Sequence, residues 1–450
     1  MNSQNRLGEM KVGKLLLEFS IPAIIGMLVN TLYNIIDRIF IGHIEGIGSL
    51  AMAGVGVTMP LMFIILAFGM LIGIGTATKI SIKLGQHDKE GAEKHLGNAF
   101  TLIIITSIFL TIFGLLFANP LLKMFGASKN IIGYGEQFIQ VIFIGCIFNL
   151  ISFSLNHSIR SDGSPKIAMA SMLISAIINI ILDPIFIFGL GLGVRGGALG
   201  TVVAQIISSI WIIYYFTKGS STLKIRKENL KLDKEVVLSI CAIGIGPFSM
   251  QIAQSAVQIA SNNSLQLYGG DLAVSAMTIV NSIAMVFLMP IFGLNQGLQP
   301  IIGYNFGAEK HDRVKQAVKY GVITATIIVT IGFIVVEGFS EKLVMIFNND
   351  PSLIEITSHG MKIFLIMLPF IGGQIIITNY FQSIGLVKIS MFLSLLRQVI
   401  ILIPCLLIIP MFMGLDGVWI AGATSDVLSV IITLFVLIKT TKRLARSKEA

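Results

Sequence analysis

Charge is scarce in this sequence. Of its 450 residues only 12% are Asp, Glu, Lys or Arg, about half the ~25% usual in a soluble globular domain. With 54% hydrophobic residues and a mean hydropathy of +0.87, most of the chain is expected to face lipid, which leaves no room for a large soluble domain. Cysteine is scarce too. Cys146, Cys241 and Cys405 all fall in apolar runs, at spacings that fit neither a disulfide framework nor a metal site. The chain has no P-loop, which argues against a pump driven by ATP, and no HExxH or Ser–His grouping at helical depth, which argues against an enzyme acting inside the membrane. Its six histidines (His43, His87, His95, His157, His311 and His359) lie mostly in or near loops and are expected at the surface.

Long apolar runs are what the sequence does have. A span needs about 20 apolar residues. Hydropathy predicts twelve, near 15–41, 51–82, 97–117, 132–157, 166–188, 196–217, 236–265, 271–303, 316–339, 355–384, 388–412 and 417–438. The first contains Asp37 and is too long for the apolar stretch of a cleaved signal peptide, so it is read as a span. Placing the N-terminus inside puts 24 of the 32 Lys and Arg in inside segments and only Lys123, Lys129, Arg195 and Lys342 outside. Basic residues concentrate in cytoplasmic loops. Both termini are therefore expected in the cytoplasm of a bacterial inner-membrane protein, and the net charge of +9 reads as a topology signal, with nucleic acid excluded as a partner.

The sequence repeats. A shift of 222 residues lays Gly48-Ser-Leu-Ala51 on Gly270-Asp-Leu-Ala273, Gly85 on Gly307, and Arg160-Ser161-x-Gly163-x-x-Lys166 on Gln382-Ser383-x-Gly385-x-x-Lys388. With three more residues Pro22 falls on Pro247. Six spans per repeat is an even number, so the halves share one orientation and are related by an axis along the membrane normal. The expected organisation is an all-α membrane protein of two pseudo-symmetric six-helix bundles, 1–217 and 235–450, joined by a basic linker at 218–234. A cleft between two rocking bundles is the mechanics of a secondary transporter.

Ionisable residues at bilayer depth cost several kcal/mol and mark pathways or pairs. Asn30, Tyr33, Asn34 and Asp37 line one face of the first span at i, i+3, i+4, i+7, while Asn179 and Asp183 share a face of the fifth and Thr201 adds a hydroxyl from the sixth. This all-oxygen set suits a hard cation such as Na⁺. Alternatively the two carboxyls raise each other's proton affinity and bind H⁺. In the second half Asp37 falls on Asn262, Asp183 on Cys405 and Asn179 on Ile401, so the acids belong to the first half alone. Met27 and Met172 extend the same two faces and suit varied ligands, because Met is adaptable and polarisable. Gln251, Gln254, Ser255 and Gln258 stripe the seventh span, and Arg397 and Asp426 are expected to pair between the last two.

The run Pro22, Tyr33, Asp37-Arg38-x-Phe-x-Gly42, the loop glycines Gly85 and Gly307, and Asn179-x-x-x-Asp183-Pro184 followed by Thr201 resemble the multidrug and toxic compound extrusion (MATE) family over essentially the whole chain. The opening segment looks most like the family's MepA-like bacterial branch. The resemblance implies a V-shaped molecule of two lobes that exchanges amphipathic organic cations for Na⁺ or H⁺. It carries the family's N-lobe ion site onto Asp37, Asn179, Asp183 and Thr201, with a backbone carbonyl near Gly197, and places Tyr33 and Asn156 on the cavity wall. It does not carry over the family's C-lobe carboxylates: spans seven and ten offer Gln254, Ser255, Gln258, Gln374 and Asn379 instead.

The expected protein is thus an antiporter and not an enzyme, needing no cofactor beyond its coupling ion, and working as a monomer among membrane lipids. A flippase for a lipid-linked anion is the main alternative. It would require clustered Arg or Lys in the cavity, where the first half has carboxylates. An exporter of an endogenous metabolite, with drugs as incidental cargo, is a further alternative.

Overall fold

The computed structural model describes residues 7–44, 47–125, 127, 129–347 and 351–449. The side chains of Asn30, Asn34, Arg38 and Ser255 lie outside the described residues. The described chain is helical, without strands. Ten helices are long and apolar enough to cross a membrane, and two bent pairs bring the total to twelve. They are α1 (Val12–Gly42), α2 (Leu50–Gly85), α3 (Lys89–Met124), α4 (Ile132–Ile144 with Cys146–Ser161), α5 (Pro165–Gly189), α6 (Val194–Thr217), α7 (Lys234–Gly270), α8 (Leu272–Gly307), α9 (His311–Met345), α10 (Pro351–Phe364 with Leu368–Ser383), α11 (Val387–Ile408) and α12 (Pro410–Thr440). The order agrees with the hydropathy reading. The fourth and tenth spans are not the single helices expected: they bend by 60° and 50° at their breaks. Gly145, at the first break, is 222 residues before Met367, at the second.

The repeat is visible in the backbone. His87 (φ 60°) and Glu309 (φ 56°) are the described non-glycine residues with positive φ, and they stand 222 residues apart, each two places after a glycine that ends its helix. Gly163 (φ 85°) and Gly385 (φ 78°) form a second such pair after α4 and α10. A left-handed non-glycine residue costs roughly 1–2 kcal/mol. Both halves therefore retain the same strained turn, one pair among several that mark the two bundles as versions of one design.

Close approaches between the bundles cluster toward the end that carries the basic loops. There a Cβ at Gly85 would strike the Tyr304 carbonyl, one at Gly307 the Ile82 carbonyl, and one at Gly75 the Ile240 carbonyl. Gln299 Nε2 donates to Thr78 Oγ1 at 2.8 Å. Residues before α1 cross to the other bundle, where Arg313 Nη2 donates to the carbonyls of Leu7 (3.1 Å) and Met10 (2.6 Å). Farther from that end the bundles still touch, where a Cβ at Gly297 would strike Ser20 and one at Gly293 the Ile24 backbone, beside Gln296 Nε2 on Met27 Sδ (3.2 Å) and the edge-on Phe68–Phe248 pair (5.2 Å between ring centres).

The basic segment between α6 and α7 is tightly docked. Asp162, in the turn between α4 and α5, accepts from Tyr215 Oη (2.6 Å), Ser221 Oγ (2.7 Å), the Thr222 amide (3.2 Å) and the Thr222 hydroxyl. Burial pushes the Asp162 carboxyl above its ordinary range, against the pull of these donors. Further along, Glu93 pairs with Arg226 at 2.7 Å, and Thr101 Oγ1 donates to the Leu230 carbonyl at 2.8 Å. Asp233 then caps α7 by accepting from the amides of Glu235 and Val236, as N-cap aspartates do.

Two histidines depart from the surface reading. His95 is buried at the start of α3, with Nε2 3.1 Å from Ser239 Oγ and Nδ1 2.7 Å from the Gly91 carbonyl. His157 is buried in α4, edge-on to Phe153. Loop proximity in sequence was a poor guide because His95 meets Ser239 of α7 and His157 is turned inward beside Phe153.

Candidate functional site

The candidate site grows from α5. Its last turn reads Asn179-Ile-Ile-Leu-Asp183-Pro184, so Asn179 and Asp183 stand one turn apart on one face. Pro184 has no amide hydrogen to donate, and beyond it the backbone widens into a π-helical turn, Ile185–Gly189. Such turns occur often at functional sites. Asp183 and Asn179 are 0% and 1% exposed. Asp183 is therefore not a turn acid at the membrane surface; it is sealed inside the first bundle.

Across from it on α1, Asp37 brings its carboxyl into direct interaction with that of Asp183. Asn179 Nδ2 donates to Asp183 Oδ1 at 2.9 Å and to Thr201 Oγ1 at 3.3 Å, which ties α5 to α6. With both amide hydrogens directed there, Asn179 Oδ1 and Asp183 Oδ2 remain buried and without a hydrogen-bond partner. Gly197 completes the wall, since a Cβ there would stand 3.2 Å from Asp37 Oδ1. Asp37, Asn179, Asp183, Thr201 and Gly197 are thus brought together. Two ionised carboxylates about 4 Å apart repel by about 4 kcal/mol at an effective dielectric near 20. Buried oxygens lacking donors, beside two acids, fit a bound proton or a hard cation. The donor set is all oxygen, as Na⁺ requires.

The other sequence-predicted residues are placed less uniformly. Tyr33 is half-buried on α1. Asn156 is buried, but its amide is engaged: Nδ2 donates to the Ala168 carbonyl (2.8 Å) and to Ser171 Oγ (2.7 Å), holding α4 against α5. Met172 presses on α1 where Gly26 leaves room, its Sδ 2.8 Å from where a Cβ would be. Met27 reaches the second bundle through Gln296. In that bundle Arg397 Nε donates to Asp426, which is 2% exposed, so the expected pair between α11 and α12 is formed. On α7, Gln258 Nε2 donates to Asn262 Oδ1 at 3.0 Å.

One site residue escaped sequence reasoning. A Cβ at Gly200 would collide with Asp183 Oδ1, and one at Gly196 with the backbone of Phe186 and Ile187. Gly196-x-x-x-Gly200 is the small-residue spacing that lets membrane helices touch. That signal was present in the sequence.

Twelve spans in two like bundles, with a buried acid facing a second acid in one of them, define a polytopic membrane protein of the transporter class. The chain belongs to the MatE family, multidrug and toxic compound extrusion transporters, whose model matches residues 22–185 and 248–408. It is 30% identical over 409 residues to the multidrug export protein MepA of Staphylococcus aureus strain MRSA252 (90% of this chain, 89% of that one) and 28% identical over 442 residues to that of Staphylococcus haemolyticus (98% and 96%). Among solved structures, the MATE multidrug transporter DinF-BH in complex with R6G is 37% identical, with a TM-score of 0.89 over 96% of each chain.

Proposed function

We propose that this chain is a multidrug antiporter, and not an enzyme, which exports amphipathic organic cations from a bacterial cytoplasm in exchange for Na⁺ or H⁺. The coupling ion binds Asp37, Asn179, Asp183 and Thr201, near the backbone at Gly197. The observation that carries this reading is the apposition of the half-buried Asp37 carboxyl to the buried Asp183 carboxyl between α1 and α5, beside oxygens that no protein donor satisfies. The buried Asp426 of the second bundle is no counterpart, since it is already neutralised by Arg397. The relatives' names, and the dye bound by DinF-BH, support small-molecule export.

The division into lobes 1–217 and 235–450 around the 218–234 linker belongs to the same proposal, as do cytoplasmic termini and a monomer working in lipid. With the basic loops inside, the bundles meet on the cytoplasmic side, and this conformation opens outward. An entering ion neutralises the acids, and the cationic cargo they attracted leaves. Exchange of like charges also limits electrical work, about 2.3 kcal/mol for each charge crossing 100 mV.

The test is efflux of an ethidium-like cation from proteoliposomes, with Na⁺ and pH gradients imposed separately. One gradient should drive efflux, and Asp37→Asn should abolish that dependence. Unchanged gradient-driven efflux in Asp37→Asn would end the proposal.

A further inference from the structure

The proposed antiport uses the acids of the first bundle and leaves one buried cation unexplained. Arg160, in the last turn of α4, is 2% exposed. Its Nη2 donates to Met172 Sδ at 3.3 Å, and its Nε has no partner. Among the described residues no carboxylate pairs with it, and the titratable group it acts on is the nearby His157. A thioether is a weak acceptor, and the negative end of α4 compensates only a small part of burying a guanidinium. Arginine's planar fork matches a carboxylate or phosphate.

Its position gives the charge a direction. Met172 lies seven residues before Asn179 and eleven before Asp183, hence on the same face of α5, with the acids about 16 Å farther along the axis. On α1, Gly26, which receives Met172, lies eleven residues before Asp37. The inner face of the first bundle is therefore bipolar, with acids toward one end and a guanidinium toward the other. Met172, flexible about three bonds, covers the Arg160 guanidinium on the side that faces α1. The repeat shows that the charge is not needed for the local fold: the equivalent residue in the last turn of α10 is Gln382, and the turns that follow share their geometry, Gly163 at φ 85° and Gly385 at φ 78°.

We propose that Arg160 is an anion-recognition point that selects zwitterionic aromatic cargo, pairing with the cargo's carboxylate while the cationic end lies toward Asp37 and Asp183. This rests on the multidrug-export reading and extends its substrate class. The test uses one rhodamine scaffold in two forms, the methyl ester (a cation) and the free acid (a zwitterion), transported by purified full-length protein in phosphatidylcholine vesicles with and without phosphatidylglycerol. Arg160→Gln should raise KM for the free acid about tenfold or more, as expected for losing a charged hydrogen bond, while the ester's KM moves less than twofold. Arg160→Lys should restore part of the difference, since charge returns without the fork. Equal loss of both dyes, or of neither, overturns the proposal, as does an Arg160 effect that follows the phosphatidylglycerol content and not the dye's carboxylate. Failure of the wild-type protein to move even the ester would instead overturn the export reading itself.

Discussion

At the scale of single residues, two buried aspartates stand in opposite situations. Asp183 faces another carboxyl, so replacing it by Asn removes a repulsion. Asp426 faces Arg397, so replacing it by Asn strands a buried guanidinium, a change that typically costs about 3–5 kcal/mol. Asp183→Asn should keep or raise the melting temperature and lose gradient-driven efflux by more than tenfold. Asp426→Asn should melt well below the parent, and whatever protein survives should still couple. Thermal unfolding and proteoliposome efflux, run on both variants, check the contrast. Gly200 is tested by a single methyl group. Gly200→Ala drives a Cβ into Asp183 Oδ1, and overpacking of this kind typically costs about 1–3 kcal/mol. Its efflux should fall as far as that of Asp183→Asn, although no ligand atom has been removed.

At the scale of elements, the linker is the clearest case of structure exceeding composition. Its lysines and arginines read only as a basic linker, yet Asp162 gathers Tyr215, Ser221 and Thr222 around one carboxylate. Removing it leaves several buried donors unsatisfied, at about 1–3 kcal/mol each before relaxation. Asp162→Ala should therefore lower the melting temperature by several degrees and open 218–234 to limited proteolysis, with the membrane helices still protected. The spans themselves were legible in the sequence because hydropathy measures the property that places a helix in lipid. The acid pair was legible because Asp37 and Asp183 sit where charge is costly. The bends in α4 and α10 were not, because a break at Gly145 or Met367 leaves the apolar run uninterrupted. Burial of His95 was also hidden, since it depends on Ser239, 144 residues away. Arg160 read as one more inside-loop charge, and only the packing of α4 against α5 shows it turned inward.

At the scale of the whole molecule, the contact between bundles depends on side chains that are missing. Gly75, Gly85, Gly244 and Gly307 bring backbone against backbone, with carbonyls of Ile240, Tyr304, Leu71 and Ile82 lying where a Cβ would be. Contacts this close hold only while the two surfaces stay registered, so they suit a gate with two discrete states. A bulky residue there cannot be absorbed by a rotamer change, because the obstacle is backbone. Gly75→Leu should therefore prevent closure of the end that carries the basic loops and shift the population toward the state open there. The readout is labelling of a cysteine placed at Thr78, which hydrogen-bonds Gln299 across the gate, in a background without Cys146, Cys241 and Cys405. Thiol-reactive probes applied from that side should label Thr78→Cys at least several-fold faster when Gly75→Leu is present, while export slows because the protein cannot complete its return. Equal labelling in both backgrounds would mean that these glycines tune packing alone and that the two bundles do not separate at this surface.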